Sequence, residues 1–251
     1  MTVTSDQLAP DGTLRRSVEL FRAFRVEQTD PDRFYGLLAA DSARQVGGYA
    51  DLAGATVLDV GGGPGYFADA FRGKGARYIA IDADLGEMSA KTAPGPDTVL
   101  GSGTALPIRT GAIDVCYSSN VLEHVSVPEQ MADEMVRVTR PGGTVFLSYT
   151  LWYGPWGGHE TAPWHYLGGH YAARRYRRRQ GKSPKNVFGE SLFPITAGRM
   201  LRWSRDRAAS GAVEIVEVLP RYHPAPMRWL VRVPVLRELI VWNLVLVLRV
   251  C

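Results

Sequence analysis

The sequence predicts an α/β fold, a mostly parallel sheet with helices on both faces. Three observations predict it. Apolar runs of strand length alternate with helical stretches between residues 56 and 149. One of those runs enters a glycine loop that opens a helix, a junction typical of open parallel sheets. The chain has 251 residues, 45% hydrophobic and 22% charged, the balance of a globular chain long enough to bury a full core.

The elements follow in order. Residues 1–13 are polar and are expected to fray. Leu14, Val18 and Phe21, with Leu20, recur at helical spacing over 14–24. A second helix is expected over 31–46, with Asp30 as N-cap and Pro31 behind it. Strand 56–60 comes next, then a helix from 66 to 72, strands at 78–81 and 113–118, and a helix at 128–139. Strand 144–149 is entered through the turn Pro141-Gly142-Gly143. After Thr150 the texture changes. Residues 152–169 are rich in Gly, Trp, Tyr and His without a period, and 174–185 are dense in Arg. A helix at 196–208, a strand at 212–219 and a buried strand at 243–250 complete the chain. The reading is one domain: a helical cap over 1–50, a cofactor-binding core over 55–150, a substrate-side insertion over 151–210, and strands with a connector over 211–251. No internal repeat is visible.

Composition excludes more than it assigns. A net charge of +4 is too mild to argue for nucleic acid, and no recognition motif accompanies it, so no nucleic-acid partner is expected. Arg greatly outnumbers Lys; a GC-rich genome explains that as simply as selection for oxyanion recognition. Cys116 and Cys251 form no CxxC pair, so neither a disulfide framework nor a zinc site is expected, and a reducing cytoplasm fits. Residues 1–10 lack a basic region followed by an apolar run, and no stretch reaches the roughly 20 apolar residues of a membrane span.

The strongest signal is Val57-Leu58-Asp59-Val60-Gly61-Gly62-Gly63-Pro64-Gly65. Glycines let the backbone turn tightly and let a ligand approach it. The helix behind them is expected to offer free N–H groups and a positive dipole end. A dinucleotide fingerprint, G-x-G-x-x-G counted from Gly61, would need glycine where Tyr66 stands. The pattern is D-x-G-x-G-x-G instead. Asp59 adds a carboxylate that repels a pyrophosphate and attracts an ammonium or sulfonium. S-adenosylmethionine (SAM), with one carboxylate, one ammonium and one sulfonium, suits such a site. Asp82 ends the next strand, where a carboxylate takes ribose hydroxyls. Each motif alone is weak, and Asp59 has a ligand-free reading as a helix cap; together they are hard to obtain by chance.

On these residues the chain resembles the class I SAM-dependent methyltransferases, type 11 group. The resemblance runs over 55–149 and includes Ile79 to Asp84 with Met88, Gly101 to Pro107, Asp114 to Val125 and Arg137 to Gly143. Flanks and composition resemble mycobacterium-type members. The resemblance implies a Rossmann-like domain with a mostly parallel seven-stranded sheet and an insertion after the fifth strand. It implies that Gly61, Gly63 and Gly65 line the methionine end of SAM, with Asp59 near its ammonium, and that Asp82 holds the ribose. It places Ser102 and Gly103 in the adenine loop and Asn120 beside the methionine moiety. Ser102 departs from the family, which usually has an acid there; a hydroxyl still accepts a hydrogen bond but carries no charge. Leu122-Glu123-His124-Val125 matches a family motif in which His124 reads equally well as structural or catalytic, and Met88 reads as core.

Methyl transfer is an in-line displacement, which requires a placed acceptor lone pair, exclusion of water and, for a hydroxyl, a general base. Trp152, Tyr153, Trp156, Trp164 and Tyr166 follow the strand end expected beside the cofactor and read as an apolar acceptor wall. His159 and His165 are the candidate bases, with Glu160 beside them. The plainer reading is an aromatic-packed loop. The spacing His159, His165, His170 matches no zinc pattern, so no metal site is expected. The run Arg174, Arg175, Arg177, Arg178, Arg179, Lys182 and Lys185 is either a solvated face or a site for an anionic headgroup or acceptor. From Met227 to Leu239, apolar residues interleave with Arg228, Arg232 and Arg237, and Pro234 forbids one unbroken helix. A connector packed on the sheet is preferred there over an amphipathic segment on an anionic membrane. The expectation is SAM-dependent methyl transfer to oxygen of a small or lipid-like acceptor, in the cytoplasm, with peripheral contact at the inner membrane face as the sharper option. The rivals are a nicotinamide-dependent oxidoreductase, disfavoured by the glycine spacing, and a SAM-binding regulator without catalysis.

Overall fold

The computed structural model describes residues 12–251 apart from 28, 91, 92 and 94. The expectation of a frayed start falls mainly on 1–11, outside the described residues. Gly12 and Thr13 are tied down instead. Ala225 N donates to the Gly12 carbonyl at 2.6 Å, and Thr13 caps the first helix by accepting from Arg16 N at 3.2 Å.

Two helices open the chain, α1 (Leu14–Phe24) and α2 (Pro31–Gly47), the latter capped by Asp30 as expected. Strand and helix then alternate through β1 (Thr56–Val60), α3 (Ala68–Arg72), β2 (Arg77–Asp82), α4 (Leu85–Met88), β3 (Thr98–Leu100), β4 (Ile113–Ser119), α5 (Pro128–Val138) and β5 (Thr139–Thr150). The insertion carries α6 (Gly169–Gln180) and leads to α7 (Ala197–Ala209), β6 (Val213–Pro220), α8 (Pro234–Ile240) and β7 (Asn243–Val250). The seven-stranded sheet has the order β3-β2-β1-β4-β5-β7-β6. Its first five strands pair in parallel, and β7 runs antiparallel to both β5 and β6. This is the Rossmann-like fold expected.

Each face buries its own core, as a sheet covered on both sides must. On one face Met131, Met135, Met200 and Leu201 of α5 and α7 meet Leu58, Val60, Leu147 and Leu246. On the other Leu20, Leu38 and Phe71 of α1, α2 and α3 meet Val57, Tyr117, Phe146 and Val245. Strand β7, Asn-Leu-Val-Leu-Val-Leu-Arg-Val, lies between β5 and β6 and is buried almost throughout, which is why its apolar run does not alternate.

Four features depart from expectation for physical reasons. The helix expected from 66 starts at Ala68, because Gly65 has φ +80° and Ala68 N closes a turn onto its carbonyl at 3.2 Å. The Pro141-Gly142-Gly143 turn lies inside β5 as a bulge. Ile113 pairs with Thr139 but Val115 with Thr144, and a side chain at Gly143 would meet the Asp114 carbonyl at 2.8 Å. Strand β3 is a three-residue, largely exposed edge with no apolar pattern to find. Helix α6 runs through the Arg-dense segment; of its side chains only Ala172 and Ala173 are buried, too few to give a period. The tail breaks as foreseen, into a 3-10 turn over Ala225–Arg232 and α8, with Pro234 at the first position of α8. Among the described residues no helix is long and apolar enough to cross a membrane.

A charged network stitches cap to sheet. Arg221 is fully buried and donates to Ser119, Ser148 and Ser42, each at 2.6 Å. Its carbonyl accepts from Arg16 at 3.0 Å, and Arg16 forms a two-pronged pair with Asp41 at 2.6 Å. These bonds offset the cost of burying the Arg221 charge, with its Nε buried and unpartnered among the described residues.

Candidate active site

The predicted cofactor residues converge at the C-terminal edge of β1, β2, β3 and β4, where open parallel sheets bind ligands. The loop after β1 is pinned to β2, with Gly61 N and Gly62 N donating to the Ile81 carbonyl at 2.7 and 3.2 Å. Gly61 (φ +80°) is glycine for packing as well as conformation, since a side chain there would strike Val121. Gly63 (φ +48°) and Gly65 (φ +80°) differ: a side chain on either would meet nothing within 4 Å. Their open surface fits a ligand laid against the backbone. Two N–H groups of the loop are already satisfied, Gly63 N by Asp82 at 2.9 Å and Gly65 N by the Gly62 carbonyl at 3.0 Å, and α3 begins two residues later than expected.

Asp82 ends β2 half-buried. One oxygen accepts from Gly63 N and the other from Asp84 N, both at 2.9 Å. Each oxygen keeps a lone pair, so the carboxylate fits a pair of ribose hydroxyls. Asp59 is 1% exposed and lies beneath the loop. Tyr78 donates to it at 2.5 Å, a partner that sequence reading missed because nothing in the spacing links β1 to β2 side chains. Burial pushes the Asp59 carboxyl up to about 7; the Tyr78 bond opposes this and the Asp82 charge adds to it.

In the loop after β3, where adenine is expected, Ser102 is exposed and its hydroxyl shares a 2.8 Å bond with Thr104. Gly103 instead faces the core, where a side chain would crowd Val60 at 3.0 Å and the Met131 sulfur at 3.2 Å. Helix α5 holds this loop: Leu106 N donates to Glu134 at 2.7 Å, and Arg137 donates to the Leu106 and Ile108 carbonyls. Asn120 follows β4 in a left-handed conformation (φ 56°) that Asn tolerates. Its side-chain oxygen accepts from Asn243 at 2.6 Å. Met88 is buried core, as read.

On the acceptor side the two candidate histidines separate. His165 is 1% exposed, 3.3 Å from the Gly154 carbonyl through Nε2, and packed against Trp152 at 5.3 Å. That is a packing position. His159 has φ 47°, and its ring stands edge-on to His124 at 5.1 Å. Burial holds its pKa below the ordinary value, while the nearby Glu123 carboxylate pulls it up. Glu123 is 1% exposed; one oxygen accepts from Thr150 N at 3.1 Å, at the end of β5. Glu160 is occupied elsewhere, accepting from Asn186 N and Nδ2 at 2.9 and 3.0 Å.

The aromatic residues divide likewise. Trp156 packs with Phe24 at 5.2 Å and Trp242 at 6.4 Å, and Tyr222 completes the group at 5.0 Å from Trp242. This wall joins α1, the insertion and the start of β7, and only its Trp156 was foreseen. Trp164 lies under the Arg175 guanidinium at 3.7 Å. Arg174, Arg177, Arg178 and Arg179 are exposed and form no ion pair among the described residues, whereas Lys185 reaches Glu87 of α4 at 2.9 Å and so joins the insertion to the α4 edge. In the tail, Leu230 and Val231 pack into the core while Trp229, Val235 and Leu239 are exposed; Arg228 pairs with Glu217 at 2.9 Å.

Comparison with known proteins identifies the family. A methyltransferase-domain family model matches residues 58–147. An "uncharacterized methyltransferase" of Mycolicibacterium gilvum is 52% identical over 98% of both chains. Another, of Mycobacterium marinum, is 51% identical over 99% of both. Among solved structures, a putative SAM-dependent methyltransferase from Listeria monocytogenes superposes with a TM-score of 0.55 at 17% identity, covering 86% of this chain and 99% of its own. One from Mesorhizobium loti gives 0.54 at 18%, covering 80% and 93%. At such identity these two establish the fold alone.

Proposed function

The chain belongs to the SAM-dependent methyltransferase family of its mycobacterial relatives, and from that premise we propose that it methylates an oxygen of a small, lipid-like acceptor held beside His159. Family membership sets the nicotinamide reading aside. The observation that carries the proposal is the wall of Trp156, Phe24, Trp242 and Tyr222, built beside the buried Glu123 that follows β4 and the half-buried His159 of the insertion.

When bound, SAM supplies a methyl on a sulfonium, ready for in-line displacement. Gly63 and Gly65 offer their bare backbone to the methionine end, and Asp82 directs its spare lone pairs to the ribose. Asp59 acts from below through its field: a cation above the loop favours its ionised form. Ser102 presents a neutral hydroxyl towards adenine, with Gly103 letting that loop pack closely on β1. Asn120, clamped by Asn243, would face the methionine moiety. His159, kept neutral by burial at pH 7, accepts the hydroxyl proton while Glu123 stabilises the resulting imidazolium. The aromatic wall excludes water and favours an acceptor with an apolar body.

The unpaired arginines of α6, beside exposed Leu167 and Tyr171, favour an anionic or headgroup-bearing acceptor reached at the cytoplasmic membrane face. The free thiols of Cys116 and Cys251 suit a reducing compartment. The test uses methyl-labelled SAM with fractionated cell extracts. Label in the organic phase, carried as an ether or ester, is expected. Label confined to water-soluble amines would overturn the acceptor assignment.

A further inference from the structure

We infer that Glu123, His124 and His159 form a binding site for one divalent transition-metal ion. Their ligand atoms all lie within 4.8 Å of one another. A cation with bonds of about 2.0–2.2 Å bridges donors roughly 3.5 Å apart, so binding draws the three inward by about 1 Å.

Each ligand is prepared. Glu123 is 1% exposed, with one oxygen held by Thr150 N and the other buried without a partner. A buried carboxylate oxygen left unsatisfied is costly and calls for a cation. Its backbone is fixed too, since the Glu123 carbonyl accepts from Phe193 N at 2.8 Å. His124 Nδ1 lies 2.7 Å from the Ser191 carbonyl. A carbonyl only accepts, so Nδ1 carries the proton and Nε2 keeps its lone pair for a metal. Such a backbone partner is how metal-ligating histidines are usually oriented. His159 brings the third donor from the insertion, with Nδ1 buried and unpartnered. Its left-handed backbone, φ 47°, turns the ring towards the other two.

Two imidazoles and one carboxylate select a borderline cation such as Zn²⁺, Co²⁺ or Fe²⁺ over Mg²⁺ or Ca²⁺. Three protein ligands leave a coordination position open, the arrangement of catalytic rather than structural sites. The sequence concealed the set. Its members stand at 123, 124 and 159, whereas the histidine spacing weighed in the sequence, 159, 165 and 170, matches no zinc pattern and includes a packing residue and a surface one. The ion would also couple the insertion to the end of β4. A bound ion would occupy His159 as a ligand and would supply Lewis-acid polarisation of an acceptor oxygen, whereas the metal-free chain keeps His159 available as the base. The binding claim stands independently of the acceptor's identity.

The test is metal binding by the full chain, stripped with chelator, with neither SAM nor acceptor present. Titration with Zn²⁺ by calorimetry, and with Co²⁺ by visible absorption, is expected to give one equivalent per chain and a Zn²⁺-dependent rise in Tm. Glu123→Gln and His124→Ala should each weaken affinity more than tenfold while keeping the parent circular dichroism. His223→Ala, outside the cluster and edge-on to Trp242 at 6.4 Å, should bind like the parent. Absence of Zn²⁺ and Co²⁺ binding by the parent would overturn the site, as would parent-like affinity in both Glu123→Gln and His124→Ala. Should one of these variants fail to fold, the other and the parent's Tm with and without Zn²⁺ decide alone.

Discussion

The cofactor edge and the insertion build their sites from different materials. After β1, β2 and β3 the site is largely main chain: glycines at φ +48° and +80°, and N–H groups gathered by Asp82. Across the insertion it is side chains from distant segments, with Phe24, Trp156, Tyr222 and Trp242 in one wall and Glu123, His124 and His159 in one cluster. A backbone site tolerates few substitutions and binds an invariant ligand. A side-chain site can be rebuilt residue by residue, and that suits the half proposed to choose an acceptor.

Substitutions sharpen the contrast, the largest effect first. His159→Ala should cut kcat by about 10²–10⁴ with little change in SAM affinity. His165→Ala should instead lower Tm, because that ring is packed against Trp152. Single-turnover rates and thermal melts on the same samples separate the two; a reversed pattern would exchange the roles assigned to these histidines. On the cofactor edge, Gly63→Val should weaken SAM by about 100-fold, combining backbone strain with a blocked approach. Asp82→Ala should cost about 1–3 kcal/mol of SAM binding, the worth of hydrogen bonds to a charged group.

Asp59 offers a pH test. Its folded pKa is raised from 3.8 to about 7, so the folded chain holds a proton that the unfolded chain has already released. Stability contributed by this group is therefore full below about pH 4 and is lost as pH rises towards 7. Asp59→Asn should raise Tm relative to the parent at pH 8 and change it little at pH 4. Equal shifts at both values would show that Asp59 is not buried as described. The smallest effect is expected on α6: each of Arg174, Arg177, Arg178 and Arg179 neutralised should remove roughly 1 kcal/mol of binding to anionic vesicles. Co-sedimentation that ignores these changes and salt would remove the membrane contact.

How much of this was legible in the sequence follows the same division. The alternation of 56–149 fixed the parallel sheet, and positive-φ glycines after a buried strand announce themselves by residue type. Asp82 was readable from its place at the end of a strand. Gly61 and Gly103 were readable only in part: both are glycine because Val121 and Met131 leave no room, a fact of packing. Tyr78 beneath Asp59, and Arg221 with its three serines, had no signal, because partners 19 to 179 residues apart leave no local pattern. The helix α6 was hidden by its own polarity. His159 was singled out by its aromatic company, while its actual neighbours, Glu123 and His124, come from the 3-10 turn that follows β4.

The account rests most directly on SAM lying against the bare backbone of Gly63 and Gly65. Calorimetric titration of the parent and of Gly63→Val with SAM, and of the parent with NADH and NADPH, tests it. The account predicts saturable one-to-one binding of SAM by the parent, its collapse in Gly63→Val with the fold intact, and no heat with either nicotinamide cofactor. Undiminished SAM binding in Gly63→Val, or nicotinamide binding without SAM, would contradict it.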